Sequence, residues 1–468
     1  MNMAEITVPT AETASVSYWM SLLVREGSNV MLAGPAGTGK TALVNGLLSQ
    51  LNPEHHIHMS VNMNFYTSAG ILQTALEAPL QKRTGSTFGP PGGAKLVYFV
   101  DDLNLPEVDA YGTQSAIALL RQHIDYGHWY DLSKMALKNV DDCRYVSALN
   151  PTAGSFYINP RLQRHFSTFA VGMPTATSLM TIYQTFLDGH LSNGGFEPKI
   201  LSLSSALIKG ALAVHKEVSE AFRKTAANFH YEFNIRHLAN VFQGLLVATA
   251  QNFQEPEKFV CLWLHESERV YGDRLVSAED LKKFKDIMQN QAKKAFMQFN
   301  VTRFYMAGGG VQADPLVFCH FADGVGEGEL QYEQGKELEA LRKTLETGLA
   351  EYNETHAEMN LVLFDDAVLH VARIVRIVKN TGGHALLVGV GGSGKQSLSK
   401  LAAHVCSYNL MSIAVNPTYS LNDFKADLQA MYNKAGVKQE GVLFLLTDAQ
   451  IINEKFLVYL NDLLSSGK

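Results

Sequence analysis

Cysteine is scarce in this chain. Four residues, Cys143, Cys261, Cys319 and Cys406, lie far apart in 468, and no CxxC pair occurs. That argues against a zinc knuckle and for ordinary buried thiols in a reducing, intracellular setting. No run of 18 or more apolar residues is present, so no membrane partner is expected. Met1 to Thr13 lack a basic stretch followed by an apolar one, the mark of a signal peptide. Positive charge is not in excess either: 39 Lys and Arg stand against 45 Asp and Glu, a net charge of −6. A protein living on duplex DNA more often shows a basic surplus, so no nucleic-acid partner is expected. What is present is a globular composition, 46% apolar and 18% charged. It is long enough for about three domains.

Strand-like and helix-like stretches alternate over residues 1–173. Residues 14–26 carry a helical apolar spacing, Asn29–Ala33 reads as a short strand, and Ala42–Leu51 as a helix. Lys95–Val100 is a continuous apolar run closing on Asp101 and Asp102, the pattern of a buried parallel strand. Thr113–Ile124 is helical, and Arg144–Leu149 is a further strand ending at Asn150. This alternation predicts an α/β fold with a parallel sheet and flanking helices. Over residues 174–300 long amphipathic helical patterns take over, including Leu201–Phe222 and Ile235–Ala250, and predict a helical subdomain. Residues 301–360 begin as a glycine-rich connector (Gly308, Gly309, Gly310, Gly324, Gly326, Gly328). A helical pattern then runs from Glu337 to Arg376. Residues 361–468 read as a second α/β unit: a strand at His384–Val388, a helix to about Cys406, and an apolar strand at Gly441–Leu446. The chain stops at Ser465–Lys468, soon after that strand, so the second unit is expected to be truncated. Its sheet edge would be unpaired and leave apolar surface, so it is expected to be aggregation-prone beside a stable first module.

Between the first strand and its helix, Gly34 to Thr41 match G-x-x-x-x-G-K-[ST] at every fixed position. Gly34, Gly37 and Gly39 let the backbone turn its N–H groups toward phosphates. Lys40 supplies a charge for the β- and γ-phosphates, and the Thr41 hydroxyl suits Mg²⁺. Asp101, at the end of the apolar strand, suits the same ion. Asp102 stands where AAA+ ATPases, which this pattern resembles, usually place a Glu that polarises water. One methylene shorter, it predicts slow hydrolysis beside secure binding; the plain alternative is a loop acid. Asn150 is a candidate sensor of the γ-phosphate or a turn-forming Asn before Pro151. Arg161 and Arg164 are candidates for a trans-acting arginine finger, and Arg236 for a cis-acting sensor, against ordinary ion pairing for all three.

The same loop recurs. Gly389 to Lys395, with Gly392 and Gly394, fit the pattern, and the lysine-to-acid spacing from Lys395 to Asp448 is close to that from Lys40 to Asp101. Gln396 replaces the usual hydroxyl, Ser397 comes one residue late, and Ala449 stands where a catalytic acid would be. A glutamine oxygen can still approach Mg²⁺, as can Asp448. Phosphate binding is expected here and hydrolysis is not.

Two such loops, each departing from the standard acid pair and joined by a helical stretch, resemble part of an axonemal dynein heavy chain. Ala385–Leu398 and Phe444–Gln450 are similar to the fourth AAA+ module of that family. Phe99–Pro106, Asn159–Phe166, Leu262–Gly272 and Met359–Asp366 are similar to the third, and to the outer-arm beta type most closely. The resemblance implies a segment of a six-module, microtubule-based motor of the ciliary or flagellar axoneme. ATP or ADP with Mg²⁺ would occupy regulatory sites. Its partners would be the remaining modules of the heavy chain and, through the intact complex, intermediate and light chains and microtubules. It further implies that Lys40, Thr41, Asp101, Asp102, Asn150 and Arg236 serve the third module and Lys395 and Asp448 the fourth. Arg161 or Arg164 would act on a preceding module's nucleotide. Linker, stalk and microtubule-binding domain have no counterpart in these residues. An autonomous AAA+ remodelling ATPase and a scaffold with vestigial loops are the alternatives.

Overall fold

Thr10 opens the first helix, Ala11–Arg25, by a capping box in which its hydroxyl accepts from the Thr13 N–H. A chain that is apolar along several strands must bury both faces of its sheet, and the strands that follow do so. The computed structural model describes residues 6–152, 158–305, 315–325, 331–335 and 337–466. Its first nine strands are β1 (Asn29–Ala33), β2 (His56–Asn62), β3 (Gln81–Lys82), β4 (Thr87–Gly89), β5 (Lys95–Asp101), β6 (His128–Tyr130), β7 (Leu137–Val140), β8 (Cys143–Leu149) and β9 (Phe166–Ala170). Five of them form an all-parallel sheet in the order β2-β5-β8-β1-β9. Contacts gather these residues into one unit that ends at Ile182, and Tyr183 begins a second.

Strand periodicity sorts the first unit's core into two layers. Leu96, Tyr98 and Val100 of β5 face one side with Met31, Tyr145 and Leu149. Val97 and Phe99 face the other with Val30, Leu32, Val146 and Ala148. Full burial of each such side chain contributes roughly 1.5–3 kcal/mol. The helices Lys40–Gln50 and Ala11–Arg25 cover the second face through Leu43, Val44, Leu47, Met20 and Val24. Sequence reading missed β2 and β9. It also missed a small sheet, β3-β4-β7-β6, whose strands of two to four residues are too short to show a period.

The second unit begins within helix Ala176–Asn193 and includes helices Ser204–Ala221, Ile235–Leu245, Pro256–Tyr271 and Ala278–Ala295. Gly244 lets two of them close up, because a Cβ there would lie 1.8 Å from a Glu266 carboxylate oxygen. Of the glycine-rich connector, Gly308, Gly309, Gly310, Gly326 and Gly328 lie outside the described residues. A two-residue ribbon pairs β10 (Phe318–Cys319) with β11 (Glu333–Gln334). The helix expected from Glu337 to Arg376 is two helices, Leu338–Thr355 and Asp365–Lys379. Asn353 ends the first by turning its amide onto the backbone of Met359, with Met359 N–H donating to Oδ1 at 2.8 Å. Inside this unit Glu266, fully buried, meets the Arg376 guanidinium and accepts from the Tyr332 hydroxyl at 2.7 Å.

The strand expected at His384–Val388 is absent. Among the described residues the second α/β region has one two-stranded parallel sheet, β12 (Asn409–Met411) with β13 (Val442–Phe444). That pair repeats the relation of β2 to β5. In the first unit, however, β1 bonds only to β8 and β9. Among the described residues of the second region neither has a counterpart and residues 384–388 pair with no strand; Leu386 is 89% and Val388 82% exposed. The four cysteines are buried; desolvation pushes Cys143, Cys261 and Cys319 up to about 12 and Cys406 to about 11. Among the described residues no helix is long and apolar enough to cross a membrane.

Candidate functional site

The first loop leaves the C-terminal end of β1, next to the middle of the sheet. Gly37 and Gly39 adopt φ of 83° and 84°, the left-handed region, so the chain curls tightly. Gly34 is required for another reason: a Cβ there would lie 2.0 Å from the Val171 carbonyl oxygen. Val171 is pinned by donating its N–H to Ala33 O at 2.8 Å. Helix Lys40–Gln50 starts on Gly39 with no side-chain cap, which leaves its first N–H groups for an anion. Lys40 Nζ donates to Gly34 O and Pro35 O, both at 2.8 Å, and is held against the loop.

Thr41 and Asp101 meet across 60 positions of sequence. The Thr41 hydroxyl donates to Asp101 Oδ2 at 2.8 Å, because β5 delivers Asp101 as its last residue beside the loop. Both are hard oxygen donors of the kind Mg²⁺ takes. The residues present thus fit a nucleotide in both halves: loop and helix end for phosphate, Thr41 and Asp101 for the metal.

Asp102 is exposed and sits at φ 53°, a conformation that Asp tolerates better than most side chains. Its N–H donates to Asp101 Oδ1 at 3.0 Å and its carbonyl accepts from Leu105 N–H at 3.0 Å. The turn so formed is stitched to β8: Leu103 N–H donates to Ala148 O at 3.1 Å, and Asn104 Nδ2 to Asn150 O at 3.0 Å. Asp102 and Asn150 therefore share one hydrogen-bonded frame. Asn104, 1% exposed, was missed in the sequence; a lone polar residue inside Leu-Asn-Leu was the available signal. Asn150 also takes its turn-forming role, with Oδ1 accepting from Thr152 N–H at 3.1 Å and Thr152 Oγ1 at 2.8 Å.

Arg164 is ion-paired to Asp125 at 3.0 Å, which His165 also approaches at 2.8 Å. Arg161 is exposed and has no ion pair among the described residues. Arg236 belongs to the second unit, exposed on the first turn of Ile235–Leu245, where its N–H donates to Asn234 Oδ1 at 3.0 Å.

The second loop repeats the local shape. Gly392 and Gly394 both adopt φ 77°, and Lys395 Nζ donates to Gly389 O at 2.8 Å and Val390 O at 2.7 Å. Helix Lys395–Val405 likewise starts without a side-chain cap. The support differs. A Cβ on Gly389 would meet Ser393 Oγ at 3.4 Å, an ordinary contact. Gln396 and Asp448 are exposed, Ser397 is half-buried, and no hydrogen bond joins either Gln396 or Ser397 to Asp448. The phosphate half of this site fits a nucleotide; the metal half is not assembled.

Residues 1–174 match the family described as P-loop containing dynein motor region, and residues 359–468 the P-loop containing dynein motor region D4. Residues 207–303 match the AAA+ lid domain. The chain is similar, at 51% identity over 467 residues, to the dynein alpha chain of the flagellar outer arm of Chlamydomonas reinhardtii, covering 100% of this chain and 10% of that one. It is 47% identical over 461 residues to dynein axonemal heavy chain 17 of Homo sapiens (98% and 10%). To the ciliary dynein beta chain of Tripneustes gratilla it is 46% identical over 466 residues (100% and 10%). The chain spans about a tenth of the length of these relatives.

Proposed function

The chain belongs to the axonemal dynein heavy chains, within their P-loop motor region, and from that premise we propose that it forms two regulatory nucleotide sites of a microtubule-based ciliary or flagellar motor. The first site binds ATP or ADP with Mg²⁺ and hydrolyses slowly; the second binds only. The observation that carries this is the contact of Thr41 with Asp101 beside the lysine-clamped loop. In the first site Lys40 contacts the terminal phosphates, Thr41 and Asp101 hold the metal, Asp102 polarises water and Asn150 orients it. Arg236 completes that site in cis, and Arg161 or Arg164 reaches a neighbouring module in trans. In the second, Gly389, Gly392, Gly394 and Lys395 cradle phosphate, with Gln396 and Ser397 opening the helix beneath it.

We assign residues 1–173 and 174–300 to the α/β and helical parts of the third module, 301–360 to a connector, and 361–468 to the start of the fourth. The D4 description of the second match supports that numbering. Within the family the outer-arm group suits the chain, which is 51% identical to a flagellar outer-arm alpha chain and 44% to a flagellar outer-arm beta chain, so the expected beta type is not favoured over the alpha type. Its partners are then the other modules, intermediate and light chains, and microtubules through the intact motor. The autonomous remodelling ATPase is not favoured, since the relatives that cover this chain end to end are dynein heavy chains.

Titration calorimetry tests the reading. Lys40→Ala should weaken Mg²⁺-nucleotide binding at the first site about 10- to 100-fold, the loss of a hydrogen bond to a charged group. Unchanged affinity would sink it. Asp102→Glu should raise turnover by restoring the longer acid.

A further inference from the structure

We infer that the second loop holds the phosphates of a nucleoside diphosphate without a magnesium ion ligated by the protein, so that its affinity, unlike that of the first loop, is independent of the metal. This rests on the nucleotide reading above and narrows it.

Mg²⁺ demands near-octahedral oxygen donors and gives up its waters reluctantly, so a protein ligand must arrive with little play. In the first loop that condition is met. The Thr41 hydroxyl is one bond from Cβ and already held 2.8 Å from Asp101 Oδ2, so a magnesium ion would find the neutral hydroxyl oxygen and the carboxylate side by side, the hydroxyl keeping its proton. In the second loop each part of the arrangement changes. Gln396 puts its amide oxygen beyond two methylenes, where the backbone does not fix it, and the side chain is exposed. The Ser397 hydroxyl, one residue on, is turned roughly 100° around the helix. Asp448 does not end its strand as Asp101 does. It lies past Phe444, the last residue of β13, and opens the short turn Asp448–Gln450, exposed. That turn is fixed by other bonds: Gln450 Oε1 accepts from Thr447 N–H at 2.8 Å, and Gln450 Nε2 donates to Ile413 O at 2.7 Å. Ala449 adds no oxygen donor. The phosphate half is intact, with Lys395 on Gly389 O and Val390 O and an uncapped helix end. Lysine and helix dipole are then what neutralise the diphosphate.

The test is ADP titration by calorimetry on the full chain, with magnesium chloride or with EDTA. Lys40→Ala isolates the second loop and Lys395→Ala the first. Lys40→Met is run beside Lys40→Ala, since methionine keeps the packing of the aliphatic stem. EDTA should weaken ADP binding at least about tenfold in Lys395→Ala and less than about threefold in the Lys40 variants. In the Lys40→Ala background, Gln396→Thr restores a hydroxyl and should increase the response to EDTA; no increase would count against the missing hydroxyl as the cause. A tenfold EDTA effect in the Lys40 variants overturns the inference, while leaving the second loop a nucleotide site. Absence of ADP binding in both Lys40 variants, under either condition, overturns the nucleotide reading beneath it.

Discussion

Lys40 and Lys395 make the same two hydrogen bonds to their loops, and the glycines beside them take the same left-handed turns. What lies beneath differs. The first loop rises from β1, which is bonded to a strand on each side and packed on both faces. The second rises from residues 384–388, which have no strand partner and expose Leu386 and Val388. A phosphate loop is thus a local object, closed by its own glycines, lysine and helix end. Its foundation is not local, since β8 and β9 reach β1 from more than a hundred residues downstream. The fate of one glycine follows from this. Gly34 is compelled by Val171, which follows β9, whereas Gly389 has no such neighbour.

The largest expected difference between the regions is in backbone protection. By hydrogen-exchange mass spectrometry, amides of residues 30–33 should exchange at least about 10³-fold more slowly than those of 385–388. Equal rates would break the comparison. If the second region is held by its helices rather than its sheet, the buried Glu266–Arg376 pair should matter greatly there. Arg376→Met leaves a carboxylate unpaired in the core and should cost about 3–5 kcal/mol by urea unfolding, with much of that recovered when Glu266 is also replaced by Gln. A cost below about 1 kcal/mol would place the anchor elsewhere. Next in size is a matched pair of truncations: Leu32→Ala, fully buried in the first sheet, should cost about 2–5 kcal/mol. Leu386→Ala should stay within about 0.5 kcal/mol, as an exposed substitution does.

Acid should act on the helical part and connector that lie between the two loops in sequence. Burial, with Arg274 beside it, lowers His237 to about 4, and burial lowers His320 to about 4 as well; both lie in the second unit. A histidine held below its ordinary value stays neutral in the fold, so unfolding takes up a proton. Its contribution is complete above about pH 6.5 and is lost as pH falls toward 4, up to about 3 kcal/mol for His237. Burial lowers His123 of the first unit in the same direction. Acidification toward pH 4 should therefore destabilise the second unit through His237 and His320. His237→Gln should flatten that dependence in thermal scans between pH 7 and 4.

How far the sequence reads depends on the residue. β1 was legible to the residue, and β5 and β8 to within one, because buried parallel strands are continuous apolar runs. Both loops were legible because glycine and lysine act within eight positions. The strand at His384–Val388 was misread for the same reason: an apolar run says what a segment can pair with, not whether a partner arrives. The helix expected from Glu337 to Arg376 failed on Asn353, whose amide closes onto Met359, a contact no periodicity shows. Asn104 was hidden because its importance lies in a bond to Asn150.

The chain by itself determined a globular α/β protein with two phosphate loops, the first bearing Thr41 and an acid pair and the second Gln396 and Ala449. Those are matters of side-chain chemistry and short-range spacing, and the order of residues states them directly. The tertiary structure decided which loop acquires a metal pair and a foundation. Thr41 touches Asp101 only because β5 and β1 flank β8 in one sheet, whereas among the described residues β12 and β13 pair only with each other and Gln396 and Asp448 are not brought together. Hydrogen bonds between strands form across long loops, and only the folded sheet reveals which of them are made.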